Sequence, residues 1–211
     1  LPICPGLKND DLNSNDLEKK CTNIGYPILI KASAGGGGIG MQIVNNFNEL
    51  KSAVDKTKNL AKKAFGNSDI FLEKFIRNSR HIEIQVFGYG EKSAVHFYER
   101  DCSIQRRFQK IIEESPAPKV DQSIIKKMAE MSVKFASDQK YEGAGTIEFI
   151  YDIDQKKFYF LEMNTRIQVE HPVTEEITGV DLVELQIKYA LNSDSTRVLQ
   201  NDIIKKGNSL E

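Results

Sequence analysis

Three groups of residues in this chain have the types and spacing to do chemistry. They are a pair of glutamates flanking a turn, a glycine-saturated loop just after a lysine, and a polar run holding an arginine, a glutamine and a glutamate. If the chain reverses about Gln155, Glu148 and Glu162 fall opposite each other, and the period of two places Glu148, Ile150, Phe160, Glu162 and Asn164 on one strand face. Like charges directly opposite destabilise a sheet unless a cation lies between them, and an oxygen-only donor set suits Mg²⁺ or Mn²⁺. The alternative is an exposed face on which both carboxylates are simply solvated.

The loop Ala34-Gly35-Gly36-Gly37-Gly38-Ile39-Gly40 follows Lys31 at the end of an apolar stretch. A GxGxxG match exists at Gly35, Gly37 and Gly40, but a dinucleotide turn needs a helix next and a P-loop needs Gly-Lys-Ser/Thr. Met41-Gln42-Ile43-Val44 looks extended instead, so the run reads as a flap between strands. Without side chains in the way, several backbone N–H groups can approach phosphate oxygens, with Lys31 adding a point charge. A flexible hairpin tip is the bland alternative, although a tip needs one or two glycines rather than five in six positions.

Asn164 to Pro172 is too polar for a strand and ends in a proline turn, which suggests an active-site loop. Arg166 offers a planar fork for a small oxyanion, Gln168 can donate or accept, and Glu170 is a candidate base. A solvated loop fits the composition equally well. His171 has no second His or Cys at metal spacing and reads as structural. Arg100, Arg106, Arg107 and Lys110 form a cationic stretch whose usual meaning is a solvated face, with Lys110 also placed for phosphate contact. Glu99-Arg100-Asp101 imitates a kinase catalytic loop, but Arg106 stands where Asn is required.

The elements that must position these groups follow from periodicity. Helices are expected over Leu17–Ile24, Asn46–Phe65, Asp121–Ser137 and Val180–Ala190. Strands are expected over Tyr26–Lys31, Met41–Val44, Ile70–Phe75, His81–Phe87 and Ala94–Tyr98. Gly145–Tyr151 and Lys157–Met163 should form a hairpin, and Gly88-Tyr89-Gly90 a turn. Strands and helices are partly segregated, predicting an α+β fold with one sheet per lobe. The 211 residues, 40% hydrophobic, can bury one sizeable core or two small adjoining ones. A net charge of -1 and apolar runs no longer than strands give no reason to expect nucleic acid or membrane as partner. Cys4, Cys21 and Cys102 lack CxxC pairing, which suits a reducing compartment, the cytoplasm or an organelle matrix. The Leu-Pro start reads as a segment cut from a longer chain.

Four stretches together resemble the biotin carboxylase family over nearly the whole length and in its order: Lys31 to Met41, Arg80 to Val86, Glu99 to Arg107, and Glu162 to Glu175. The resemblance implies an ATP-grasp fold, two α+β lobes with nucleotide between them. The first lobe, residues 42–110, is lid-type and mobile with its glycine loop at 34–40; the second, 111–195, carries the metal and bicarbonate site. It implies nucleotide contacts at Lys31, Gly35, Gly36, Gly37, Gly38, Gly40, Met41, Glu73, Ile76, His81, Gln105 and Ile150, with Lys110 on the phosphates. Glu148, Glu162 and Asn164 match metal-binding positions. Arg166, Gln168 and Val169 match the bicarbonate site, and Glu170 matches the general base.

The implied reaction is carboxylation of biotin from bicarbonate and Mg-ATP through carboxyphosphate, with a biotinylated carrier domain and a carboxyltransferase component as partners. Phe108 departs from a histidine common in the family. Ile39 departs from a basic residue and, with Met41 next but one, leans toward the urea carboxylase branch. The resemblance implies flanking subdomains that supply another lysine and an arginine; the chain is expected to cover the ATP-grasp core without them and to be inactive alone. A nucleotide-binding module without turnover and a different ATP-grasp carboxylate ligase are the competing readings.

Overall fold

The computed structural model describes residues 1–34, 40–91, 93–107, 109–191 and 197–211. Two compact units emerge, one made of Cys4–Arg77 with Arg107–Gln109, the other of Leu1–Ile3, Asn78–Arg106 and Lys110–Glu211. The glycine run from 35 to 39 and Phe108 lie outside the described residues.

The first unit is a four-stranded antiparallel sheet with helices. Its strands are β1 (Gly6–Leu7), β2 (Ile28–Ala32), β3 (Gln42–Val44) and β4 (Ile70–Lys74), in the order β1-β4-β2-β3. Helices α1 (Leu17–Ile24) and α2 (Phe47–Phe65) carry the expected apolar stripes. α2 starts where Asn46 accepts a hydrogen bond from the Glu49 N–H and stops at Gly66 in the left-handed conformation. Ile28, Ile30, Ile70 and Leu72 alternate along β2 and β4 and pack with Leu50, Val44 and Cys21 into one core. Leu29 and Lys31 therefore take the other face of β2, with Glu73 paired to Leu29 and Phe71 paired to Lys31.

The second unit is a six-stranded antiparallel sheet ordered β10-β7-β6-β5-β8-β9. Its strands are β5 (Ser79–Tyr89), β6 (Ala94–Arg106), β7 (Gln109–Ser115, whose first residue groups with the other unit), β8 (Glu142–Asp152), β9 (Lys157–Asn164) and β10 (Ser209–Leu210). Helix α3 (Gln122–Asp138), begun where Asp121 accepts from the Ser123 N–H, covers one face. There Ile82, Ile84, Ile147 and Phe149 pack with Met128, Ile125 and Ala129. Helices α4 (His171–Thr178) and α5 (Leu182–Ala190) complete the unit, α5 over a second core of Phe87, Tyr89, Phe97, Leu182 and Leu185.

Several expectations need correcting. The division expected near residue 110 falls at Arg77–Asn78, because β5 pairs with β8 along its whole length and so joins the later unit. β6 continues past Tyr98 to Arg106, carrying Arg100 into the sheet. Gly88 and Tyr89 belong to β5, and the turn begins at Gly90, with φ 63°. Phe160 does not share the face of Glu162: Glu148 pairs with Glu162 but Phe149 with Phe160, so Leu161 is an extra residue. That bulge flips the pleat and turns Phe158 and Phe160 toward the α3 core. α4 was not anticipated; Pro172 lies in its first turn rather than in a loop turn.

Gly88 is required by close approach, since a Cβ there would lie 2.0 Å from the Tyr141 carbonyl oxygen. Gly88→Ala should destabilise the protein by about 1–3 kcal/mol through overpacking against backbone that cannot swing away. Chemical denaturation checks this, the expected outcome being a lower midpoint with unchanged slope.

Candidate active site

On the sheet face away from α3, the antiparallel register lines polar residues into rows. His81 pairs with Ile150, Glu83 with both Arg100 and Glu148, Gln85 with Thr146, and Thr146 with Asn164. Polar groups at alternate positions of buried strands must satisfy one another. They do so around two cations. Arg100 is fully buried. Its Nε–H donates to Glu83 Oε1 at 2.5 Å, Nη1 donates to Gln85 Oε1 and Thr174 Oγ1 at 2.8 Å, and Nη2 donates to Thr146 Oγ1 and Gln168 Oε1 at 3.2 Å.

Lys110 on β7 is the second cation. Its ammonium donates to Glu83 Oε2 at 2.5 Å, to Glu148 Oε1 at 2.9 Å and to Glu170 Oε1. All three carboxylates are buried. Glu170 stands at the N-cap position of α4, yet its side chain makes no capping bond and turns to Lys110. Burial alone would raise Glu148, but His81 and Lys110 draw it well below the ordinary glutamate range. Glu83, also opposed by burial, is drawn down by Arg100 and then Lys110. Burial would lower Lys110, but Glu83 and Glu148 push it above the ordinary lysine range. Burial and then Glu83 push the Cys102 thiol far above the ordinary cysteine range.

Gln105 Nε2 lies 3.0 Å from His81 Nδ1 and donates to the Cys102 carbonyl at 2.8 Å. An amide nitrogen is donor only, so Nδ1 must accept and the proton of neutral His81 sits on Nε2. Nε2 is 3.0 Å from Glu148 Oε2. Glu148 Oε1 also accepts from Asn164 Nδ2 and Gln168 Nε2, both at 2.9 Å. Gln168 is thus engaged at both ends of its amide, to Arg100 and to Glu148, and the second N–H of its NH₂ has no partner among the described residues. Arg166 is exposed, with one Nη1 bond to the Ile167 carbonyl at 3.1 Å, and Val169 is 81% exposed.

Glu162 lies opposite Glu148 as expected, but it is exposed and has no ion pair among the described residues. Asn164 gives its nitrogen to Glu148, leaving its amide oxygen as an oxygen donor. Charge supports a divalent cation on this side. Glu83, Glu148 and Glu170 against Arg100 and Lys110 leave one surplus negative charge, and Glu162 adds a second. Two other groupings bring donor atoms within 4.8 Å, His81 with Glu83 and Glu148, and Glu83 with Cys102 and Glu170. In both, Lys110 already supplies the positive charge.

In the other unit, Lys31 and Glu73 pair with each other at 2.6 Å on the face opposite the α2 core. Ile76 is buried and Met41 half-buried; Gly40 has φ 77°. The structure therefore unites Lys110, Glu148, Gln168, Glu170, His81, Gln105 and Asn164 in one network. Sequence reasoning missed Glu83, Gln85, Thr146 and Thr174, and it read Arg100 as part of a solvated cationic face, whereas Arg100 is fully buried. Their signal was available: Glu83 and Gln85 alternate with Ile82, Ile84 and Val86.

Residues 1–197 match the family model described as carbamoyl-phosphate synthase L chain, ATP binding domain. The whole chain is 49% identical to biotin carboxylase 2 of Bacillus subtilis, covering 47% of that protein. It is 46% identical to the mitochondrial methylcrotonoyl-CoA carboxylase subunit alpha of Mus musculus, covering 29% of it. Among solved structures, a biotin carboxylase–β-γ-ATP complex from Campylobacter jejuni superposes with TM-score 0.90 at 43% identity, over all of this chain and 46% of that one. The biotin carboxylase domain of Hydrogenobacter thermophilus 2-oxoglutarate carboxylase, solved with MgADP, ADP and bicarbonate, gives TM-score 0.90 at 45% identity, over all of this chain and 46% of that one. The fold is thus the expected α+β ATP-grasp fold, and the chain spans about half the length of these bacterial proteins.

The carboxylate shifts set a pH dependence. Glu83 and Glu148 titrate lower when folded, so their stabilisation is present above the ordinary glutamate range and is lost as pH falls through the depressed folded values. The contribution of Lys110 is present below the ordinary lysine range and is lost only as pH rises through its raised value. Lys110→Met should cost about 3–5 kcal/mol near neutral pH, because it strands buried carboxylates. The gap to wild type should narrow as pH drops and those carboxylates take up protons. Denaturant titrations at stepped pH would check this; a gap independent of pH would mean that Lys110 contributes packing alone.

Proposed function

The chain belongs to the carbamoyl-phosphate synthase L chain ATP-binding domain family, and on that premise we propose that it is the ATP-binding core of a biotin carboxylase. The reaction proposed is carboxylation of biotin by bicarbonate and ATP. The observation that carries the reading is the Lys110–Glu148–Glu170 cluster, which combines a fixed buried base, an acidic pair open to a cation and an exposed arginine on the adjoining loop.

Glu170 has one oxygen held by Lys110 and no hydrogen-bond donor on the other among the described residues. That second oxygen is available to take the proton of bicarbonate, with Arg166 holding the anion through its fork. Attack of bicarbonate on the γ-phosphate joins two anions, so orientation and charge neutralisation dominate the barrier. Lys110 supplies a positive charge that its carboxylate partners keep protonated. Mg²⁺ or Mn²⁺, held by Glu148, Glu162 and the Asn164 oxygen, would supply the remaining neutralisation on the phosphates.

Lys31, the Gly35 to Gly40 run, Met41, Glu73, Ile76, His81, Gln105 and Ile150 are proposed as nucleotide contacts. Gln168 is assigned an orienting part and Val169 a backbone contact at the bicarbonate site. Carboxyphosphate is the proposed intermediate, and exclusion of water from the site would protect it. A biotinylated carrier domain and a carboxyltransferase component are the partners this reaction needs. The finer assignment to the urea carboxylase branch rests on uncharged Ile39 with Met41 next but one. Three cysteines without CxxC spacing support a reducing compartment, the cytoplasm or an organelle matrix.

The test is ADP release by the parent protein with Mg-ATP, with and without bicarbonate and free biotin. Release should need bicarbonate. Glu170→Gln should lower it by about 10²–10⁴-fold while calorimetric binding of Mg-ATP persists. Binding with no bicarbonate-dependent release would mark a nucleotide-binding module, and release driven by another carboxylate would mark a different ligase. Either result overturns the proposal.

A further inference from the structure

The mechanism above gives Arg100 no part in binding or proton transfer, yet every donor it has is engaged. Its five N–H groups meet five acceptors drawn from four places: Glu83 and Gln85 on β5, Thr146 on β8, Gln168 on the loop after β9, and Thr174 inside α4. Its exposure is 0%. Neither Asn nor Lys could replace this set, because only a guanidinium presents five donors in a rigid plane.

A stability role alone is a poor account. Buried ion pairs are weak contributors to stability, since the desolvation of both partners offsets most of their attraction. What distinguishes Arg100 is the identity of its partners. Glu83 takes Arg100 on one oxygen and Lys110 on the other. Gln168 takes Arg100 on its carbonyl oxygen and donates its nitrogen to Glu148. Two short chains therefore run from one guanidinium, Arg100–Glu83–Lys110 and Arg100–Gln168–Glu148. They meet where Lys110 donates to Glu148 at 2.9 Å, closing a ring.

We infer that Arg100 is the positioning residue of this site. It sets the Gln168 amide so that nitrogen rather than oxygen faces Glu148, and it fixes the Glu83 carboxylate so that its second oxygen faces Lys110. The amide argument is chemical. A glutamine amide can present either end to a neighbour; a guanidinium accepts nothing, so it fixes the oxygen toward itself and the NH₂ toward Glu148. Thr174 ties the same guanidinium to α4, the helix whose N-cap is Glu170. The inference rests on the reading of Glu148 as a cation-bearing group, but its first test does not.

That test is the side-chain amide spectrum of the ¹⁵N-labelled full chain, in wild type, Arg100→Lys and Thr174→Val. The Gln168 and Asn164 NH₂ signals should be dispersed and slowly exchanging in wild type. In Arg100→Lys they should move to free-amide positions while backbone signals of β5 and β8 hold, and Thr174→Val should move them part of the way. Thr174→Val keeps every charge and covers the case in which Arg100→Lys fails to fold. The second measurement is Mn²⁺ affinity in the presence of ADP, read by the Mn²⁺ spin resonance signal, beside metal-free ADP affinity. The metal-dependent affinity should fall at least tenfold in Arg100→Lys with metal-free ADP binding unchanged.

Unmoved side-chain amides in both variants, or equal losses with and without metal, would overturn the inference and leave Arg100 a structural residue. If wild type binds neither Mn²⁺ nor ADP, the functional reading falls and the amide spectra alone decide the part played by Arg100.

Discussion

Three carboxylates taken out of water next to one another are the constraint that organises the second unit. Each buried ion forfeits several kcal/mol of hydration, an order of magnitude that only close opposite charge and full hydrogen bonding can offset. Glu83 obtains both from Arg100 and Lys110, and Glu148 from Lys110 with Asn164 and Gln168, while Glu170 has Lys110 on one oxygen. The backbone is arranged accordingly. Glu83 can meet Arg100 and Glu148 simultaneously because β5 is central, paired antiparallel to β6 on one side and β8 on the other. Lys110 reaches the same carboxylates from β7, and α4 with the loop before it closes the open face through Gln168, Glu170 and Thr174.

Strand register would undo this if it slipped, since one residue of slip sends every side chain to the opposite face. Two irregularities set it. Between β5 and β6 the pairing moves from Ile84–Glu99 to Val86–His96, so β6 carries an extra residue, with Tyr98 at φ 66°. Between β8 and β9 the extra residue is Leu161. That bulge reconciles two demands with the same parity in sequence. Glu162 must stand beside Glu148, while Phe158 and Phe160 must reach the core, where Phe158 meets Phe149 edge-on at 5.4 Å and Phe160 lies 6.0 Å from Phe135 of α3.

Much of this was legible from local signals and some was not. α1 and α2 are amphipathic with their stops written at Gly25 and Gly66, and both fall where periodicity places them. The pairing of Glu148 with Glu162 was legible from hairpin symmetry, but the bulge beyond it was not, because a bulge is chosen by packing against α3 rather than by turn chemistry. α4 hid behind a polar run, since only its Pro172 and Gly179 mark its ends. The burial of Arg100 was obscured by its basic neighbours Arg106 and Arg107. A charge run suggests solvent, whereas Arg100 belongs to a strand whose partners lie 15 to 74 residues away. Distant partners of that kind leave no local pattern, apart from polar residues recurring every second position in an otherwise apolar strand.

The closed and open halves of the cluster have different electrostatic characters, and that difference makes the site directional. Glu148 is the joint. Its Oε1 is held by Lys110, Asn164 and Gln168, so the carboxylate cannot swing away to solvate itself. Inward, each negative charge already faces a cation, and a further ion would meet Lys110 or Arg100. Outward, among the described residues, Glu162 and the surplus charge of the network are uncompensated, while Arg166 presents a guanidinium whose one protein bond is to the Ile167 carbonyl. A cation is therefore attracted to the Glu162 side and a small anion to Arg166, and neither gains by penetrating further. The buried half fixes positions and the exposed half carries the charges left open to a ligand, which is the arrangement that the proposed joining of two anions would require.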